Sequence, residues 1–124
     1  MKYLTARDVQ LIHDKVINSH ELQGLAGDKS LESVIGRVEN RMHFGMIEDA
    51  FELAACYASY IAVGHVFNDA NKRTAYAVMK TSLVLNRIEA DLGLFHEVGD
   101  VIIQAAQGKL DEKELAQWLR KRAQ

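Results

Sequence analysis

Residues 47–73 read IEDAFELAACYASYIAVGHVFNDANKR, an apolar stretch that runs into a polar turn and out into a new polar-apolar pattern. Phe51, Ala54, Ala55, Ala58, Ile61 and Ala62 carry apolar and small side chains on more than one side of a helix. The spacing therefore predicts a central helix over about Ile47 to Val63 that neighbours approach closely from several directions. Gly64 supplies a C-terminal stop. The segment His65 to Asn71 holds the loop, and Asn71 is a suitable N-cap for a following helix that reaches about Asn86.

Working outward, Thr5 with Asp8 three residues on reads as the start of a helix over about Ala6 to Asn18, with Val9, Ile12 and Val16 on one face. Ser19 to Ser30 contains Gly24 and Gly27 and no clear period, which reads as a loop. Leu31, Val34, Ile35, Val38 and Met42 recur at helical spacing, and His43 to Gly45 breaks that pattern. A short turn near Asp91 to Gly93 precedes a helix over about Phe95 to Gln107. A last helix starts at Asp111, where Glu114 completes a capping pattern and Leu115, Trp118 and Leu119 give an inward face. Trp118 reads as core, not as a platform for a ligand. The expectation is an all-α fold of about six helices forming one domain over 1–124, without internal repeat, linker or low-complexity tract.

Composition agrees with that class. Of 124 residues, 48% are apolar and 26% charged, the net charge is −2 and proline is absent; a chain without proline has no obligatory helix breaker. Lys and Arg are scattered among Asp and Glu, so no basic stripe points to direct nucleic-acid binding. Cys56 is the sole cysteine; flanked by Ala54, Ala55, Tyr57 and Ala58, it reads as a small buried hydrophobe, and an intrachain disulfide is excluded. The absence of a long apolar run leads us to expect no membrane association and a cytoplasmic location.

Chemistry concentrates in positions 65–73, His-Val-Phe-Asn-Asp-Ala-Asn-Lys-Arg. The first-turn N–H groups of the helix beginning near Asn71 lack intrahelical acceptors and carry about half a positive charge, which suits phosphate. Lys72 and Arg73 add cationic side chains, and arginine can grip phosphate through two parallel hydrogen bonds. Asp69 offers a carboxylate of the kind that holds Mg²⁺ together with phosphate oxygens. His65 can serve as general base toward a hydroxyl, and Phe67 anchors the loop in the core. Base, metal ligand, anion site and cationic clamp thus fall within one short segment. The same residues also fit a polar connection between two helices, and residue chemistry alone leaves both readings open.

The pattern His65-x-Phe67-x-Asp69-Ala70-Asn71-Lys72-Arg73 resembles the motif of the Fic/Doc family, His-x-Phe-x-Asp/Glu-Gly-Asn-Gly-Arg, and in particular its death-on-curing (Doc) branch. Gly24-Leu25, the helix from Leu31 to Arg41 and the overall length are also similar to that branch. The resemblance implies His65 as base and Asp69 as the Mg²⁺ ligand. It further implies Asn71 with adjacent backbone N–H groups as the anion hole and Arg73 as phosphate clamp. The candidate catalytic residues are accordingly His65, Asp69, Lys72 and Arg73. The nucleotide- and phosphate-binding positions are Asn68, Ala70, Asn71, Lys72 and Arg73, with ATP and Mg²⁺ as donor and ion.

Departures from the broader pattern bear on the chemistry. Adenylylating members carry glycine at the positions of Ala70 and Lys72, and a second arginine at that of Tyr76. The Doc branch instead implies transfer of the γ-phosphate to a threonine of translation elongation factor Tu, with arrest of translation. Lys72 fills space that glycine leaves for distal phosphates, so the nucleotide is expected to present its γ-phosphate to His65. The inhibitory motif of self-silenced relatives, Ser/Thr-x-x-x-Glu-Gly/Asn, is missing, because Glu39-Asn40 has Ile35 at the hydroxyl position. Inhibition is therefore expected from a separate antitoxin chain. The rival readings are adenylyl transfer, a non-catalytic binding module, and an HD-type metal phosphohydrolase using His13-Asp14. The last of these lacks any supporting spacing among the histidines, and His13 reads as a surface or core-edge residue.

Overall fold

Ala54, Ala55, Ala58 and Ala62 are all essentially without solvent exposure, and their small side chains let four other helices close in on the one that carries them. In the computed structural model, which describes residues 1–21, 24–26, 30–65, 67, 70–93 and 95–123, six helices form among the described residues. They are α1 (Ala6–Val16), α2 (Leu31–His43), α3 (Ala50–Gly64), α4 (Asn71–Leu85), α5 (Phe95–Ala106) and α6 (Glu112–Arg120). The all-α expectation holds; extended pairing among the described residues is limited to the isolated bridges Leu25–Phe67 and Ala90–Ala123. Helix α3 packs against α2, α4, α5 and α6, while α1 lies on α4 and α2. The close approach extends to the end of α3, where a Cβ on Gly64 would meet Val34 Cγ2 of α2 at 3.2 Å.

Local chemistry sets the ends. Asp8 N–H donates to Thr5 Oγ1 at 3.1 Å and Thr5 N–H to Asp8 Oδ2 at 2.9 Å, a reciprocal capping box. Asp111 and Glu114 repeat it at α6, at 2.8 and 3.3 Å. Helix α3 starts later than its hydrophobic pattern suggested, because the Asp49 carboxylate accepts from Glu52 N–H at 3.0 Å and so caps the chain at Ala50. Helix α1 stops at Val16, short of Asn18, because Ile17 adopts an extended conformation at φ −72°, ψ 139°. Helix α2 ends at His43, one residue into the expected break. Gly45 N–H donates to the Met42 carbonyl at 3.1 Å and Met46 N–H to the Arg41 carbonyl at 2.8 Å, with Gly45 at φ 69°.

Leu115 and Leu119 of α6 are fully buried. Trp118 packs against the core at its edge and carries the Arg122 guanidinium 3.7 Å from its ring centroid. Cys56 is 1% exposed, and burial pushes its thiol up to about 11, which keeps it protonated and inert. No helix among the described residues is long and apolar enough to cross a membrane. His13 departs from expectation: it is completely buried, with one face covered from the motif segment.

The N-terminal segment is fastened by one hydroxyl. Tyr57 Oη of α3 accepts from Leu4 N–H at 2.8 Å and donates to the Leu4 carbonyl at 3.0 Å, so both backbone groups of a buried residue depend on it. Tyr57→Phe should therefore lower unfolding stability by about 1–3 kcal/mol, measured by denaturant titration. A change within about 0.3 kcal/mol would mean that water replaces the hydroxyl.

Candidate active site on the α3–α4 turn

The turn between α3 and α4 is bracketed by two residues in the left-handed region, His65 at φ 45°, ψ 45° and Ala70 at φ 64°, ψ 30°. The reversal thus falls on His65 and not on Gly64, which remains helical. Asn71 is likewise not the N-cap. It is the first helical residue, and Ala70 holds the cap position. The Asn71 carboxamide is used elsewhere: Oδ1 accepts from Phe67 N–H at 3.1 Å and Nδ2 donates to the Phe67 carbonyl at 2.9 Å. This reciprocal clip ties the start of α4 to the middle of the turn. Because alanine offers no capping oxygen, the Ala70 side chain satisfies none of the N–H groups in the first turn of α4.

Phe67 is 2% exposed, as expected of an anchor. Its ring lies flat on the imidazole of His13, with centroids 3.8 Å apart and planes 4° from parallel, and its backbone bridges to Leu25. That contact covers one face of the buried His13 imidazole, and no cluster of three or more metal-ligating side chains exists among the described residues.

The other candidate positions are distributed as follows. His65 and Lys72 are exposed, and Tyr76 is partly buried against the core. Asn68 and Asp69 lie outside the described residues. Arg73, expected as a phosphate clamp, is engaged with protein: Nη1 donates to the Val16 carbonyl at 2.9 Å and Nη2 pairs with the Glu21 carboxylate. The Arg73 hydrogen bond, aided by the Asn18 backbone N–H, holds the Glu21 carboxyl down at about 2. A carboxyl lowered from 4.5 favours the folded chain above that value, and the contribution is lost as pH falls toward about 2. Glu21 and His13 are the residues that sequence reasoning missed at this place. Glu21 sits in a segment without periodicity and meets its partner across a long sequence separation.

The fold and the site define an all-helical protein that carries a histidine-to-arginine motif on the turn between its two central packed helices. A family model described as Fic/DOC family matches residues 3–83. The chain is also 34% identical over 122 residues to the protein named "Protein kinase doc" of Escherichia phage P1, covering 98% of this chain and 95% of that protein. The chain belongs to the Fic/DOC family.

An alanine at φ 64° carries a conformational cost of about 1–2 kcal/mol that glycine does not. Ala70→Gly should raise stability by about 0.5–1 kcal/mol once the greater freedom of glycine in the unfolded chain is counted. A rise of a few degrees in thermal midpoint is expected, and a drop would show that the methyl group contributes packing that outweighs the strain.

Proposed function

We propose that this chain is a Doc-type toxin that transfers the γ-phosphate of ATP to a protein hydroxyl. A threonine of translation elongation factor Tu is the target that the resemblance supplies, and a separate antitoxin chain is the silencing partner. The observation that carries the reading is the full motif from His65 to Arg73 on a helix-to-helix turn, in a chain similar over nearly its whole length to a protein named as a kinase.

Each residue has a definable task. His65 takes the proton from the attacking hydroxyl. The N–H groups that open α4, beginning with Asn71, receive phosphate oxygens. Lys72 and Arg73 balance charge on the transferred group. Asp69 would hold Mg²⁺, which when bound supplies charge neutralisation for the donor. Asn71 has a positioning task in addition, since its carboxamide is used to clip the turn at Phe67. Adenylyl transfer by the same segment is the competing chemistry. Lys72 and Tyr76, where adenylylating members carry glycine and arginine, favour phosphate transfer over it.

The test is the mass added to elongation factor Tu on incubation with the purified chain, ATP and Mg²⁺. A single phosphate is expected, whereas addition of AMP would replace the kinase reading with nucleotidyl transfer. His65→Ala should lower the transfer rate by at least about 100-fold while leaving nucleotide affinity within about threefold. A variant within about threefold of the wild-type rate would remove His65 from the role of base.

A further inference from the structure

Helix α1 buries a histidine where its pattern calls for an apolar residue. Val9 and His13 lie one turn apart on α1, and neither has exposed surface. An imidazole carries two ring nitrogens and is costlier to bury than a leucine or isoleucine, which are the usual occupants of a core position. What it has and those residues lack is a flat face. Phe67 uses that face: the planes of the two rings are 4° from parallel at a centroid separation of 3.8 Å. A branched aliphatic side chain presents no such surface to a ring.

The residue gripped in this way stands in the middle of the motif turn. Phe67 is two residues beyond His65 and four before Asn71, and both of its backbone polar groups are taken by the Asn71 carboxamide. Its backbone is therefore fixed from α4 and its ring from α1. His65 and Ala70, on either side, hold left-handed conformations at φ 45° and φ 64°, which residues with a Cβ disfavour. Such conformations persist only where the surrounding structure over-determines them. With Phe67 held by ring and backbone, the turn is denied the freedom to relax, and the direction in which the His65 side chain leaves α3 is settled. Helix α4 packs along its length on α3, α1 and α5, so the placement of its first-turn N–H groups does not depend on the ring.

We propose that His13 is a positioning residue for the transfer reaction: through its stack on Phe67 it fixes the backbone of His65 and so aims the base. This deepens the reading of His65 as base and rests on it. Completely buried, His13 reaches neither donor nor acceptor and acts only through Phe67.

The test compares the wild-type chain with His13→Leu, which is apolar but not flat, and His13→Gln, whose planar carboxamide can lie on a ring. Phe67→Leu and the His13→Leu/Phe67→Leu double variant complete the set. Two readouts are taken. One is kcat and KM for phosphate transfer to elongation factor Tu, at a temperature where each variant is folded. The other is the NMR amide and Cα resonances of His65, which follow its backbone conformation. His13→Leu should lower kcat at least about tenfold with KM for ATP within about threefold, as a misplaced base does, and should move the His65 resonances. His13→Gln should keep kcat within about threefold and leave those resonances in place. The double variant should lose no more than about threefold beyond Phe67→Leu, because the two residues act as one unit. A kcat within about threefold of wild type in His13→Leu, an equal loss in His13→Gln, or losses that multiply in the double variant overturn the proposal. So do unmoved His65 resonances in His13→Leu. If His13→Leu does not fold, His13→Asn, whose carboxamide is too short to cover the ring, replaces it under the same criteria. A wild-type chain that transfers nothing to the target, with His65 resonances that move in His13→Leu, removes the proposed function and leaves the placement of the turn by His13 standing.

Discussion

Phe67 lying flat on His13 is the contact from which the polar turn takes its position. An aromatic side chain in a polar turn has a strong tendency to leave water, and here it lies against a histidine of α1. With the ring seated, the Phe67 backbone is brought to Leu25 on one side and to the Asn71 carboxamide on the other. Three segments far apart in sequence are joined through one residue. The imidazole gives up solvent in exchange for a ring face that arrives from outside its own helix.

Arg73 is the electrostatic counterpart of that apolar anchor. Its guanidinium reaches the carbonyl of Val16, at the last turn of α1, where unpaired carbonyls and the negative end of the helix dipole favour a cation. Its own position in the first turn of α4 is unfavourable for a cation by the same rule. Joining the end of one helix to the beginning of another, with Glu21 between them in charge, resolves both conflicts. The arginine is therefore part of the architecture before any ligand is considered, and the use toward phosphate proposed for it would have to share with that structural duty.

What was legible in the sequence was local. The Thr5–Asp8 and Asp111–Glu114 boxes and the apolar stripe of α2 depend on residues within a turn or two, and each formed as read; the break read over His43 to Gly45 begins one residue later, after His43. Asn71 shows where local reading fails. Asparagine suits the N-cap, but it equally suits a clip onto backbone, and the nearby Phe67 backbone, fixed from outside by His13, decides for the second. His13 reads as a surface or core-edge residue; it is completely buried, with one face covered by a ring arriving from residue 67. Glu21 gave no sign, because an acidic residue in an aperiodic loop is ordinary until a distant arginine closes on it. Of the candidate site, His65 and Ala70 bracket the turn and Asn71, Lys72 and Arg73 open α4, whereas Asn68 and Asp69 fall outside the described residues.

Ala70 also changes the weight of the departures from the family pattern. A glycine at this position is needed for its backbone, not for a side chain, because a positive φ is favourable only without a Cβ. Ala70 nevertheless takes φ 64°, ψ 30°, the conformation that glycine would adopt. The substitution therefore alters the strain held in the turn and leaves the path of the chain into α4 as it would be with glycine. A difference that preserves backbone geometry is weak grounds for a difference in chemistry. What remains are the two positions where the departure adds or removes functional groups. Lys72 brings an exposed ammonium into the first turn of α4, and Tyr76, one turn on, brings a partly buried ring in place of a guanidinium. Relative to the glycine-bearing pattern, one cation has moved from the second turn of the helix to the first. A lysine in the first turn adds its charge to the positive end of the helix dipole, and a polyphosphate is attracted by both. Under the proposed function, the displaced charge is the physical ground for expecting a different phosphate of the nucleotide to be presented to His65.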